Sequence, residues 1–179
     1  MKFSDVFTSK DKIQLDKKTL VTLRWLALIG QYLTICTVYF ILKFQLDYIY
    51  CSTIILTGVL TNFYLQFGFK KNQVNNFTST FFLFYDLFQL SLLLYLTGGI
   101  TNPFTILLIV PAIVSSTFLT LRSTINLTVI TIIILILLTI YYQPLPHLGE
   151  LHFHVPDTYL YAIPIAIIIG LIFLTYFGI

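Results

Sequence analysis

Of the seven acidic residues in the chain, Asp86 alone stands near the centre of a long apolar run, "FTSTFFLFYDLFQLSLLLYL", residues 77–96. An ionised group at that depth costs roughly 2.5–3.5 kcal/mol on insertion scales, so it faces a bundle interior or a cavity. There it either ties helices together through hydrogen bonds or takes part in binding, and the sequence leaves both readings open. At ~100° per residue Gln89, Leu93 and Thr97 share its face, a partly polar stripe that rises towards "TGGITNPF", residues 97–104. Gly98 and Gly99 in that octapeptide suit a tight turn with positive φ, Asn102 an N-cap and Pro103 a first helical position. A hairpin turn between two spans needs nothing more. The start of a capped helix also presents backbone N–H donors, here beside the Phe104 ring. A quinone head group suits that combination, because its carbonyl oxygens only accept hydrogen bonds while its flat ring stacks on an aromatic side chain.

Other candidates are weaker. His147, His152 and His154, with Glu150 and Asp157, are ligand types for zinc and similar ions, but their spacing fits no metal site and a solvated loop is expected. No metal site and no catalytic residue is assigned. Arg24 lies about one turn inside the first apolar run beside Trp25, and is expected to snorkel to the inner headgroups. Gln31 and Asn62 are further polar candidates for the interior. Pro111 and Pro164 are expected to bend the fourth and sixth spans. Cys36 and Cys51 read as packed free thiols at outer helix ends, a bridge between them being the minority reading.

The elements that position these residues follow from composition. Hydrophobic residues make up 58% of the 179, charged residues 9%, and mean hydropathy is +0.91. This excludes a soluble domain and gives an all-α, polytopic membrane protein. Apolar runs long enough to cross a ~30 Å hydrocarbon core lie at about 20–42, 49–69, 77–96, 104–121, 124–142 and 158–179. A six-helix bundle over 20–179 is therefore expected behind a polar head, residues 1–19. Of the ten basic residues, Lys2, Lys10, Lys12, Lys17, Lys18, Arg24, Lys70, Lys71 and Arg122 fall on one side and only Lys43 on the other. Both termini are thus expected in the cytoplasm, with "TGGITNPF" and the histidine-bearing loop outside. The formal charge of +3 comes from flanking lysines, so no nucleic-acid partner is expected. The first apolar run is too long for a cleavable signal. The chain closes on "IIIGLIFLTYFGI", still apolar and without a basic flank, and a fragment whose soluble part lies beyond is the expectation.

The segment "DLFQLSLLLYLTGGITNPFTILLIVPAIVSS", from Asp86 to Ser116, resembles the third and fourth spans of the RegB/PrrB/ActS redox-responsive sensor histidine kinases, whose signature is GGxxNPF. "LVTLRWLALIGQ", from Leu20 to Gln31, is similar to that family's first span. The resemblance implies a bacterial inner-membrane sensor that reads the quinone pool, with ubiquinone as the sensed ligand and nothing tightly bound. It implies Gly98, Gly99, Asn102, Pro103 and Phe104 as the ligand-binding positions, Asp86 and Gln89 as candidates behind them, a homodimer, and a cytoplasmic response regulator as partner. The family's phosphoacceptor histidine, ATP-binding domain and redox-active cysteine belong beyond Ile179. His147, His152 and His154, expected outside, cannot take the phosphoacceptor's place. The alternative from another class is a six-span substrate-binding subunit of a small-molecule importer, in which Asp86 would line a mid-membrane pocket.

The charge bias carries a direct prediction. A cysteine introduced at Lys71 should be protected from a membrane-impermeant thiol reagent in intact cells, and one at Glu150 should react. The reverse pattern would invert every loop.

Overall fold

The computed structural model describes residues 15–69, 74–143 and 156–177. The chain is an all-α bundle. α1 (Lys17–Cys36) runs on into a π-helical turn, Thr37–Ile41, and is followed by α2 (Tyr48–Gly68) and α3 (Asn76–Leu96). A short 3-10 turn (Gly99–Thr101) and a 3-10 helix (Pro103–Ile109) lead into α4 (Val110–Phe118). α5 (Leu121–Ile140) and α6 (Asp157–Phe177) complete it.

Five of these helices are long and apolar enough to cross a membrane. The fourth expected span differs from the sequence reading. It is seven residues of 3-10 helix followed by nine of α-helix, not one α-helical run over 104–121. The physical reason is in the rise. A 3-10 helix advances ~2.0 Å per residue against ~1.5 Å, so this composite reaches about 27 Å, close to the hydrocarbon thickness. Pro111, expected to bend this span, lies in the first turn of α4, where its missing N–H interrupts the ladder at the change from 3-10 to α geometry. Pro164 does lie inside α6.

Helix ends are tied in pairs that fit an up-and-down order. Lys17 Nζ donates to the Gln66 and Phe69 carbonyls at 3.1 and 2.6 Å, closing the C-terminal turn of α2. At the same end Asn76 Nδ2 donates to Ser123 Oγ at 2.8 Å, while its Oδ1 accepts from Thr120 N–H at 3.0 Å, joining the starts of α3 and α5. At the opposite end Gln143 N–H donates to the Tyr95 carbonyl at 2.9 Å. Three apolar clusters fill the bundle. Leu20, Val21, Leu65, Phe82, Leu83 and Leu127 pack at the Lys17 end. Leu28, Ile35, Cys51, Ile55 and Leu93 pack between α1, α2 and α3. Leu87, Leu94, Ile100, Leu108, Leu135, Ile167 and Leu171 join α3, the 3-10 segments, α5 and α6. Cys51 is buried and Cys36 half-buried, and both are free thiols.

Candidate functional site

The residues 97–104 fold into a turn that holds itself. Gly98 (φ 112°) and Gly99 (φ 54°) take the positive φ that the glycine pair led us to expect. Asn102 caps the 3-10 helix by accepting the Phe104 N–H on Oδ1 at 2.9 Å. Its Nδ2 group donates back to the Thr97 carbonyl at 2.9 Å and to Thr97 Oγ1 at 2.8 Å, so both ends of the amide are engaged within the turn. Thr105 Oγ1 donates to the Gly99 carbonyl and Thr101 Oγ1 to the Gly98 carbonyl, at 2.9 and 2.6 Å. Thr105 and Thr101 were not singled out from sequence; the signal is weak, one threonine at a variable position inside the motif and one just after it.

Gly98, Gly99 and Ile100 are buried, whereas Pro103 and Phe104 are exposed. Gly99 is also a point of close approach. A Cβ there would stand 2.3 Å from Tyr142 Cβ and 2.9 Å from the Leu138 carbonyl oxygen, so one side of the turn is closed by the end of α5. What the turn turns outward is the Phe104 ring, 42% exposed, with Ile106 and Leu107 beside it.

Asp86 and Gln89 do not join this cluster. Asp86 precedes Gly98 by twelve residues, about 18 Å along a helix. It belongs to a second constellation at mid-membrane, and there the sequence reading of Arg24 is corrected. Arg24 does not snorkel: it is 3% exposed and turned inward. Its Nε donates to the two Asp86 carboxylate oxygens at 2.9 and 3.0 Å, and Nη2 stands 2.8 Å from Oδ1. Nη2 also donates to Thr61 Oγ1 on α2 at 2.9 Å. The guanidinium carbon lies 4.9 Å from the Phe82 ring centroid and 5.8 Å from that of Tyr85. A flat, forked cation that meets a carboxylate in fixed geometry, with ring faces about it, has more to gain inside than at the headgroups. The importer reading needs Asp86 open to a pocket, and the ion pair occupies it instead.

One turn further out on α3, Gln89 Nε2 donates to Gln31 Oε1 on α1 at 3.0 Å. Gly58 makes room for this bridge, since a Cβ there would fall 2.7 Å from Gln89 Oε1 and 2.6 Å from Leu28 Cδ2. Asn62, fully buried, donates to the Val21 carbonyl at 3.3 Å. Asn62, Gln89 and Thr97 are buried as expected and Gln31 is half-buried, together a polar seam through α1, α2 and α3. Beside it, between α1 and α2, a cavity of about 320 Å³, open at the bundle surface where Ile29, Leu33 and Leu56 are exposed, is lined further in by Trp25, Leu28 and Ile55. Trp25 Nε1 donates to Gln66 Oε1 at 3.4 Å, and its ring meets Phe63 edge-on. His147, Glu150, His152 and His154 lie outside the described residues, as does the side chain of Asp157.

Two comparisons bear on this architecture. Over 158 residues, 88% of its length, the chain is 34% identical to the sensor histidine kinase RegB of Cereibacter sphaeroides. The match covers 34% of that protein, so the chain spans about a third of the length of the curated relative it matches. No solved structure matches it. The apolar helices and this relative together make it a multi-pass protein of the bacterial inner membrane, corresponding to the transmembrane region of RegB-type sensor kinases. Residues 20–177 match the six-span family described as PilS-like transmembrane domain, from the first turn of α1 to the last of α6, and the chain belongs to that family.

Proposed function

We propose that this bundle is the sensing region through which a cytoplasmic histidine kinase reads the redox state of the quinone pool, with ubiquinone bound at the outer turn formed by Gly98, Gly99, Asn102, Pro103 and Phe104. The observation that carries the proposal is the exposed Phe104 ring on a turn whose own polar side chains are bonded internally. Asn102 then serves as the clamp that holds the turn in shape, and Phe104 as the ring against which the quinone lies. The backbone donors expected at the start of the 3-10 helix are used within the turn, Phe104 N–H by Asn102 Oδ1 and Thr105 N–H by the Asn102 carbonyl, so the reading rests on contact with the ring. The kinase, acting as a homodimer, phosphorylates a response regulator according to the state of this site.

Phe104→Ala removes the ring and leaves the cap, the turn and their hydrogen bonds in place. It is expected to weaken ubiquinone binding by roughly 0.5–1.5 kcal/mol, a few-fold to about tenfold in Kd, with little change in melting temperature. Isothermal calorimetry on the purified chain in detergent, alongside a thermal melt, checks this. Equal affinity in the parent and in Phe104→Ala, or no binding by the parent, would overturn the site.

A further inference from the structure

The outer turn is built into the same packing unit as α6. Ile100, between the glycine pair and Asn102, is fully buried in one cluster with Ile167 and Leu171 of α6, and so is Leu108 from the 3-10 helix. Ile109, the last residue of that helix, packs on the same cluster, and its Cδ1 lies 3.5 Å from where a Cβ on Gly170 would be. That is ordinary contact distance, so Ile109 seats directly over this position of α6, where a side chain larger than a methyl would displace it. The element between turn and seat is unusual in itself. Pro103–Ile109 runs seven residues in 3-10 geometry, whereas such runs seldom exceed ~3–4 residues, and longer ones mark hinges. Its outer end is clamped by Asn102 to Thr97, and its inner end passes straight into α4 at Val110. A change from 3-10 to α geometry over this stretch would shorten it by about 3.5 Å, and Ile109 could not stay in its seat while that happened.

We propose that the 3-10 helix Pro103–Ile109 is the transmitting element of the bundle, with Ile109 and Gly170 as the positioning residues through which the shape of the outer turn is passed to α6. The proposal rests on the reading above that the turn is the sensing site. It adds the route by which α6 learns of it, on the opposite side of the bundle from the Arg24–Asp86 pair.

The test uses single cysteines in a chain carrying Cys36→Ser and Cys51→Ala, reconstituted in liposomes, with labelling rates for a water-soluble maleimide as the readout. Without ligand, Gly170→Leu fills the seat and Ile109→Ala empties it; both should raise the labelling of Thr101→Cys several-fold. Gly170→Ala, whose added methyl meets Ile109 at ordinary contact distance, and Ile169→Phe on the exposed side of α6 should leave it unchanged. With ubiquinone added, labelling of Tyr176→Cys at the far end of α6 should change in the parent and stay constant in Ile109→Ala. Unchanged Thr101→Cys labelling in a folded Gly170→Leu or Ile109→Ala protein overturns the proposal. So does a quinone that binds by calorimetry yet leaves Tyr176→Cys labelling as it was. A quinone that does not bind, with the ligand-free effects present, overturns the choice of ligand and upholds the mechanical link.

Discussion

Asp86→Leu is expected to destabilise the bundle by roughly 3–5 kcal/mol, because it leaves the buried Arg24 charge without its partner, and Arg24→Leu by less, because the Asp86 carboxylate it strands is 26% exposed. The double variant Arg24→Leu/Asp86→Leu should recover most of that loss. Two leucines at the contact remove both charges together and fill the space with apolar atoms, and replacing a whole buried pair is often neutral. The argument is stronger here than in a soluble core, since Arg24 is 3% exposed and the alternative surroundings are hydrocarbon rather than water. Asp86→Asn keeps the shape and a hydrogen-bond acceptor but leaves the guanidinium uncompensated, so it should fall between the parent and Asp86→Leu. Unfolding of the purified chain in mixed micelles, run as a double-mutant cycle, measures the coupling. Additive single and double losses would mean that the contact contributes nothing beyond its two side chains.

Gly99→Ala is expected to cost nearly as much, for a different reason. The residue has φ 54°, where an L side chain costs roughly 1–2 kcal/mol. The added methyl would also stand 2.3 Å from Tyr142 Cβ and 2.9 Å from the Leu138 carbonyl, a collision with backbone that adds roughly 1–3 kcal/mol through displacement of α5 or the turn. Gly30→Ala is the control. Nothing lies within 4 Å of a Cβ there, and the substitution in mid-helix should be neutral or stabilise by up to about 1 kcal/mol. Melting curves of the two variants beside the parent decide it. A Gly99→Ala protein that melts with Gly30→Ala would show that α5 does not close on the turn.

The polar seam was legible in the sequence because a helix has one period. Once Asp86 had to face inward, Gln89, Leu93 and Thr97 followed by spacing, and all three are buried. The turn was legible because Gly-Gly and Asn-Pro leave the backbone few choices, and φ at Gly98 and Gly99 and the cap at Asn102 are as those residues require. The partner of Asp86 was not legible. Arg24 lies 62 residues away, and its local setting beside Trp25 favours the headgroup reading. Only the juxtaposition of α1 with α3 brings the fork to the carboxylate. The 3-10 geometry of residues 103–109 was hidden for a similar reason. Apolar composition reports that a segment is buried in lipid or core, while the choice between ~1.5 and ~2.0 Å per residue is made by the span it must cover between a clamped turn and Pro111.

The position of Trp25 has an optical consequence. It is the sole tryptophan of the chain, so all indole emission comes from the wall of the α1–α2 cavity, in the half of the membrane nearer Lys17. Emission from the native protein therefore reports polarity, hydration and contact quenching in that cavity, and a molecule seated against Phe104 in the opposite leaflet leaves it to distant, weaker effects. A quinone that quenches Trp25 strongly would be lodging its ring or its prenyl tail between α1 and α2. Light from the outer turn needs a second chromophore, and Trp25→Phe gives the dark background on which to place it.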